Sequence, residues 1–333
     1  MKTTTLIGLF VGLTAIGALI AWQGFSSVFG LLDQAGWPLL LVCLFAIPEQ
    51  ALTAEAWRRL FPPDRPPRFS LTLMASWMGP AVITLLPVAS FVGEVAKARV
   101  LNHWSQAGTD TNPTMNVDQT VHALSVLVSP SRGLLLLIHI DHNSSVVEAA
   151  VTGAVLLGGG IGGFIAVQLA GGLSFVAKIL HRFRQSRGRD GLLHLVESAG
   201  ITDQSIRAIY KRPGAYILSC FLRLGGRFIL VGEILFVSHL MGHPIGILEI
   251  VMIEGLAAGL RGVAFAVPNG FGVQEGAFIA VGALLGLPAD LMLAISLATR
   301  VREILPCVPF LLLWQHTEGK ALWRRRQVSS QED

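Results

Sequence analysis

The chain is dominated by long apolar runs. Segments close to the roughly 20 residues a helix needs to cross a bilayer are found at 4–22, 37–56, 70–87, 117–138, 148–176, 213–241, 246–267 and 290–316. Shorter apolar pieces lie at 88–102 and 270–287. A backbone in lipid must satisfy its own hydrogen bonds, so each run predicts a helix. The first run follows Lys2 as a signal peptide would, but no clean small-residue cleavage site follows it, and it reads as the first span.

Positive charge orients these segments. Arg58, Arg59, Arg65 and Arg68 share one connection; Lys178, Arg182, Arg184, Arg187, Arg189, Arg207, Lys211 and Arg212 share another. Lys320, Arg324, Arg325 and Arg326 form the tail and Lys2 starts the chain, so 17 of 25 Lys and Arg residues lie in four segments. The positive-inside rule makes those segments cytoplasmic. The connections 23–36, 139–147 and 242–246 contain no Lys or Arg and should face outward.

Crossing parity then constrains the fold. Between the basic connections at 57–69 and 177–212 the chain must cross an even number of times, yet three full-length runs lie there. The resolution is a re-entrant hairpin made of 70–87 and 88–102, turning at Pro87, with Lys97 and Arg99 on its exit arm. In the second half, 246–267 and 270–287 turn back at Pro268, Asn269 and Gly270, with both ends outside. The tips read PVASFVGE from Pro87 and PNGFGVQE from Pro268, with matches at Pro87/Pro268, Val92/Val273 and Glu94/Glu275. The expectation is a single transmembrane domain over 1–333: an all-α polytopic membrane protein of about six spans plus two re-entrant hairpins, in inverted repeats over 1–140 and 148–316. Such repeats, with broken helices meeting near the midplane, are a common build for transporters.

Composition agrees. Hydrophobic residues make up 52% of the chain and charged ones 14%, against roughly 25% in soluble domains. Mean hydropathy is +0.61 and the sequence pI about 9.2, which fits basic loops flanking spans better than nucleic-acid binding. The longest polar stretch, about Lys178 to Arg212, is too short for an isolated catalytic domain. Cys43, Cys220 and Cys307 sit in apolar runs and read as small hydrophobes, with no disulfide or metal role.

Few motifs carry chemistry. Gly158, Gly160 and Gly163 formally match GxGxxG, but without a preceding strand; Gly158/Gly162 and Gly159/Gly163 read better as small residues admitting a close helix. His139, Asp141 and His142 fall in a predicted outer connection and read as solvated. Glu94 and Glu275 carry more weight, because a carboxylate at membrane depth is costly and needs a partner, a proton or a cavity. Each either serves a polar path or caps a hairpin arm and pairs with a nearby Arg. Arg223, Arg227, Glu233, Glu249, Glu254, Arg261, Arg300, Arg302 and Glu303 also lie within apolar runs. Arg223/Arg227 and Arg300/Glu303 are one turn apart, and buried ion pairs locking the bundle are expected for most of this set. No nucleophile elbow, P-loop or HExxH occurs, so no catalytic residue, metal or cofactor is expected.

The stretches VPNGFGVQEGAFIAVGALLGLP (Val267 to Pro288), SLATRVREILPCVPFLLLWQ (Ser296 to Gln315), LLPVASFVGEVAKARVL (Leu85 to Leu101) and VDQTVHALSVLV (Val117 to Val128) resemble the lysylphosphatidylglycerol synthase transmembrane-region, flippase-like family. Together they look most like its hopanoid-biosynthesis-associated branch, the HpnL-type lipid flippases. The resemblance implies movement of a polar lipid, a hopanoid or phospholipid, across or out of a bacterial inner membrane, with both termini cytoplasmic. It also implies lipid-export or biosynthesis partners, a possible homo-oligomer, no nucleic acid, and no aminoacyl transfer. Glu94 and Glu275 would meet headgroup hydroxyls or exchange protons. Pro87, Pro268, Asn269, Gly270 and Gln274 would shape the tips, and Lys97, Arg99, Arg300, Arg302 and Glu303 would line or gate the route. The competing expectations are an intramembrane enzyme acting on a lipid headgroup and a non-transporting scaffold of a lipid-biosynthetic complex.

Overall fold

The structure, a computed structural model, describes residues 14, 25–85, 90–104, 111–140, 145–171, 189–263 and 270–313. Among these residues every regular element is helical: α1 (Phe25–Ala35), a 3-10 helix (Trp37–Val42), α2 (Cys43–Arg58), α3 (Phe69–Leu85), α4 (Ser90–Trp104), α5 (Thr111–Ile140), α6 (Ser145–Ala170), α7 (Arg189–Tyr210), α8 (Pro213–Leu240), α9 (Ile247–Val263), α10 (Val273–Leu284) and α11 (Ala289–Ile304). Helix also covers 307–313.

Most predicted runs coincide with a helix, and the departures have local causes. The connection expected at 23–36 contains α1, whose Val28 and Ala35 are buried in the core. The basic connection expected at 177–212 contains α7, which buries Ile206 and Ile209 against Trp57 and Leu60. The run at 290–316 breaks after α11, where Pro306 offers no N–H to the carbonyl four residues back. The run at 4–22, the proline turns at Pro87 and at Pro268 and Asn269, the Asp141/His142 pair, and the basic tail lie outside the described residues.

Two hydrophobic cores organise the bundle. One joins α1, α8, α9, α10 and α11 around Met241, Ile250, Ile253, Met292 and Leu293. The other joins α2, α3, α4, α5 and α7 around Trp57, Phe61, Met78 and Leu101. Helix α5 bridges them, packing along α9, with Val126 against Gly262. The two expected arm pairs are α3/α4 and α9/α10, and each packs along its length. In the first, a Cβ on Gly93 would stand 2.6 Å from the Gly79 carbonyl oxygen, so only glycine lets the arms meet there. In the second, Gly270 (φ 61°) and Gly272 (φ 80°) turn the chain into α10 in a conformation other residues rarely adopt.

The surface is inverted relative to a soluble protein. Helix α8 shows Ile217, Phe221 (68% exposed) and Phe228 outward, while Ser219, Gly226 and Glu233 are buried. Trp37, Ile47, Val155, Val167, Ile247 and Leu248 are likewise exposed. Soluble folds place such residues inside and charges outside. The stretch Trp37–Arg58 is long and apolar enough on its own to cross a membrane. Helix α8 carries Arg223, Arg227 and Glu233 in mid-helix, and those charges are turned into the bundle. Of the glycines of α6, Gly158 touches Leu127, while Gly159, Gly160, Gly162 and Gly163 have no described residue within contact of a Cβ.

Candidate functional site: two buried charge networks

The inward charges form two networks. The first centres on Asp118 of α5, which is fully buried. Lys97 Nζ of α4 donates to it at 2.7 Å, and Arg223 Nη2 of α8 reaches both carboxylate oxygens at 2.7 Å. Lys97 also lies 4.2 Å above the Trp57 ring, a cation-π contact, and the indole N–H donates to Thr114 Oγ1 at 3.3 Å. Glu94, one turn before Lys97, is 3.7 Å from the ammonium and keeps its side chain 26% exposed. It sits where the α3/α4 arms touch, beside Gly79. Arg99, expected to line the route, is exposed and makes no ion pair in this network.

The second network surrounds the start of α10. Glu275 is fully buried. It accepts from the Gly272 N–H at 2.8 Å and from Arg300 Nε at 2.8 Å, so it both closes the first turn of its helix and holds the guanidinium of α11. Arg300 Nη2 donates to the Gly270 carbonyl at 3.1 Å, and Nη1 donates to Glu303 at 2.7 Å. Glu303 also accepts from Arg261 of α9 at 2.9 Å. Arg261 in turn hydrogen-bonds Gln274, whose amide donates to Thr299 at 3.0 Å. Arg302 faces Glu233 of α8 at 2.7 Å, and Arg227 faces Glu254 of α9 at 3.4 Å. Every charge here meets an opposite one, the condition under which buried charges are tolerated.

Glu94 and Glu275 thus match in sequence but differ in setting. Glu275 is locked in two directions and shielded; Glu94 is partly open and loosely held. Gln274, Arg300, Arg302 and Glu303 are candidates in the sequence and the structure brings them together, whereas Asp118 and Glu49 are not candidates there. Asp118 sits at the edge of the predicted run 117–138, but its helix starts at Thr111, two turns earlier, which moves the carboxylate inward. Glu49 follows Pro48 in mid-helix and accepts from Gln50 and Thr53. A third polar group anchors α7: Gln168 of α6 accepts from Tyr210 at 2.7 Å and from Thr120 at 3.1 Å.

Between α8, α9, α10 and α11 lies a cavity of about 30 Å³, bordered by Glu233, Glu254, Arg261, Gln274, Arg302 and Glu303. That is room for one or two waters. Among the described residues no group of three or more His, Cys, Asp or Glu is arranged to hold a metal.

The sequence pattern of the family described as "Lysylphosphatidylglycerol synthase TM region" matches residues 6–310. No individual curated protein and no solved structure matches the chain.

Proposed function

Because the chain belongs to the lysylphosphatidylglycerol synthase TM region family, a membrane family concerned with lipid, we propose that it is a lipid flippase and not an enzyme. In this reading it moves a polar lipid, with a hopanoid as first candidate, across or out of a bacterial inner membrane, with both termini cytoplasmic. The observation that carries the reading is the pair of acid-bearing helical arms, α4 with Glu94 and α10 with Glu275, each tied to cations at the centre of a bundle whose outer face is apolar. A headgroup crossing lipid needs a polar lining, and its acyl or ring system needs none. The two arm pairs, α3/α4 and α9/α10, would be re-entrant hairpins of an inverted repeat, dipping from opposite sides.

The water-sized cavity cannot hold a headgroup, so transport requires the arms to part and the ion pairs to exchange partners. Glu94, 26% exposed and 3.7 Å from Lys97, is the acid best able to trade Lys97 for a headgroup hydroxyl or amine. The reading is tested by reconstituting the purified protein in vesicles carrying a headgroup-labelled lipid on one leaflet. Wild type should equilibrate the label between leaflets and Glu94→Gln should slow that by tenfold or more, a difference of about 1.4 kcal/mol in barrier. Recovery of a chemically altered lipid would instead indicate an enzyme, and equal rates in wild type and empty vesicles would indicate a scaffold.

A further inference from the structure

Two carboxylates in the second network are incompletely satisfied. Glu233 Oε2 faces Arg302 at 2.7 Å, but its Oε1 has no hydrogen-bond donor. Glu254 Oε1 faces Arg227 at 3.4 Å, and its Oε2 has none either. Both side chains are more than nine-tenths buried, and both border the same water-sized cavity. A buried acceptor without a donor is rarely tolerated, so a water or a proton must serve each of these oxygens.

Charge favours a proton over a water alone. Glu49 faces Glu233 and Arg302 from α2. With Glu233, Glu254, Glu275 and Glu303 it makes five carboxylates among the described residues. Arg227, Arg261, Arg300 and Arg302 make four guanidiniums, which leaves one negative charge in excess. The neighbouring first network does not correct this, since Lys97 and Arg223 are matched by Asp118 and Glu94. The other titratable groups facing the site are the His122 imidazole, near Arg227 on the α5 side, and the Cys43 and Cys307 thiols, near Glu233 and Glu303 respectively.

We propose that Glu233 and Glu254 share one exchangeable proton across this cavity. The proton leaves the O–H of one carboxyl, passes directly or through one water, and forms an O–H bond on the other, with no change in oxidation state. Two like charges bordering one small cavity then never ionise together. That the proton is exchanged during lipid movement rests on the transport reading; the proton site itself does not.

Infrared difference spectra of the purified protein between alkaline and acidic pH test the site without any transport assay. Wild type should show a carbonyl band of a buried protonated carboxyl that is lost in Glu233→Gln and equally lost in Glu254→Gln. If Glu233→Gln alone fails to fold because Arg302 is stranded, Glu233→Gln/Arg302→Gln replaces it, and Glu254→Gln/Arg227→Gln serves the same purpose. Absence of the band in wild type, its survival in either variant, or its loss in only one would overturn the shared proton. A band with this behaviour in a protein that moves no lipid would leave the proton site standing and remove the transport reading.

Discussion

Asp118 is the residue on which the first network turns, because one buried carboxylate serves both Lys97 and Arg223. Asp118→Asn strands two buried cations and should lower stability by about 3–5 kcal/mol, read as a fall in thermal unfolding temperature in detergent. Adding Lys97→Met should recover part of the loss; no recovery would mean that the cations are not what the carboxylate stabilises. The two tip glutamates should separate by the same logic. Glu275→Gln removes the countercharge of Arg300 and weakens folding, whereas Glu94→Gln, at a partly exposed site, should change the unfolding temperature little while slowing lipid movement. The sequence shows each of these acids as an isolated charge in an apolar run, which marks it as costly. It cannot show the partner, because Lys97 and Asp118 are 21 residues apart and Arg223 a further 105. Asp118 was hidden for a different reason: hydropathy places its residue at a helix end, while Thr111 and Thr114, polar yet buried, extend the helix beyond the apolar run.

At the scale of elements, α3 packs on α4 and α9 on α10, where the sequence predicts paired arms. The α3/α4 contact rests on the Gly79/Gly93 approach, so Gly93→Ala should cost about 1–3 kcal/mol through forced separation of the arms. Hydrogen exchange checks this, with protection expected to fall in α3 and α4 before α8. Uniform loss of protection would show that the arms do not open as a unit. Helices α1 and α7 were not legible. Each lies in a polar or mixed stretch without enough apolar residues to announce itself, and each is held by tertiary contacts: Val28 in one core, and Ile206, Ile209 and Tyr210 in or beside the other.

At the scale of the whole molecule, an apolar exterior over a charged interior was legible from composition and run length, and which face of each helix turns inward was not. Phe221 tests that arrangement. Phe221→Arg puts a charge on the outward face of α8 and should cost about 3 kcal/mol for insertion, seen as reduced yield in the membrane fraction, with Phe221→Leu as the neutral control. Equal yields would mean that this face does not meet lipid. Polar bonds add to the apolar packing between the halves. Arg212, at the start of α8, donates to the carbonyls of Leu60 and Phe61 at 2.6 and 2.9 Å; Ser219 donates to the Ala56 carbonyl; Arg223 grips Asp118. A single helix of the second half is therefore pinned to the first along its opening three turns, by bonds that need no covalent tether. Two polypeptides, cut within 172–188 and produced together, should find one another and purify as a complex.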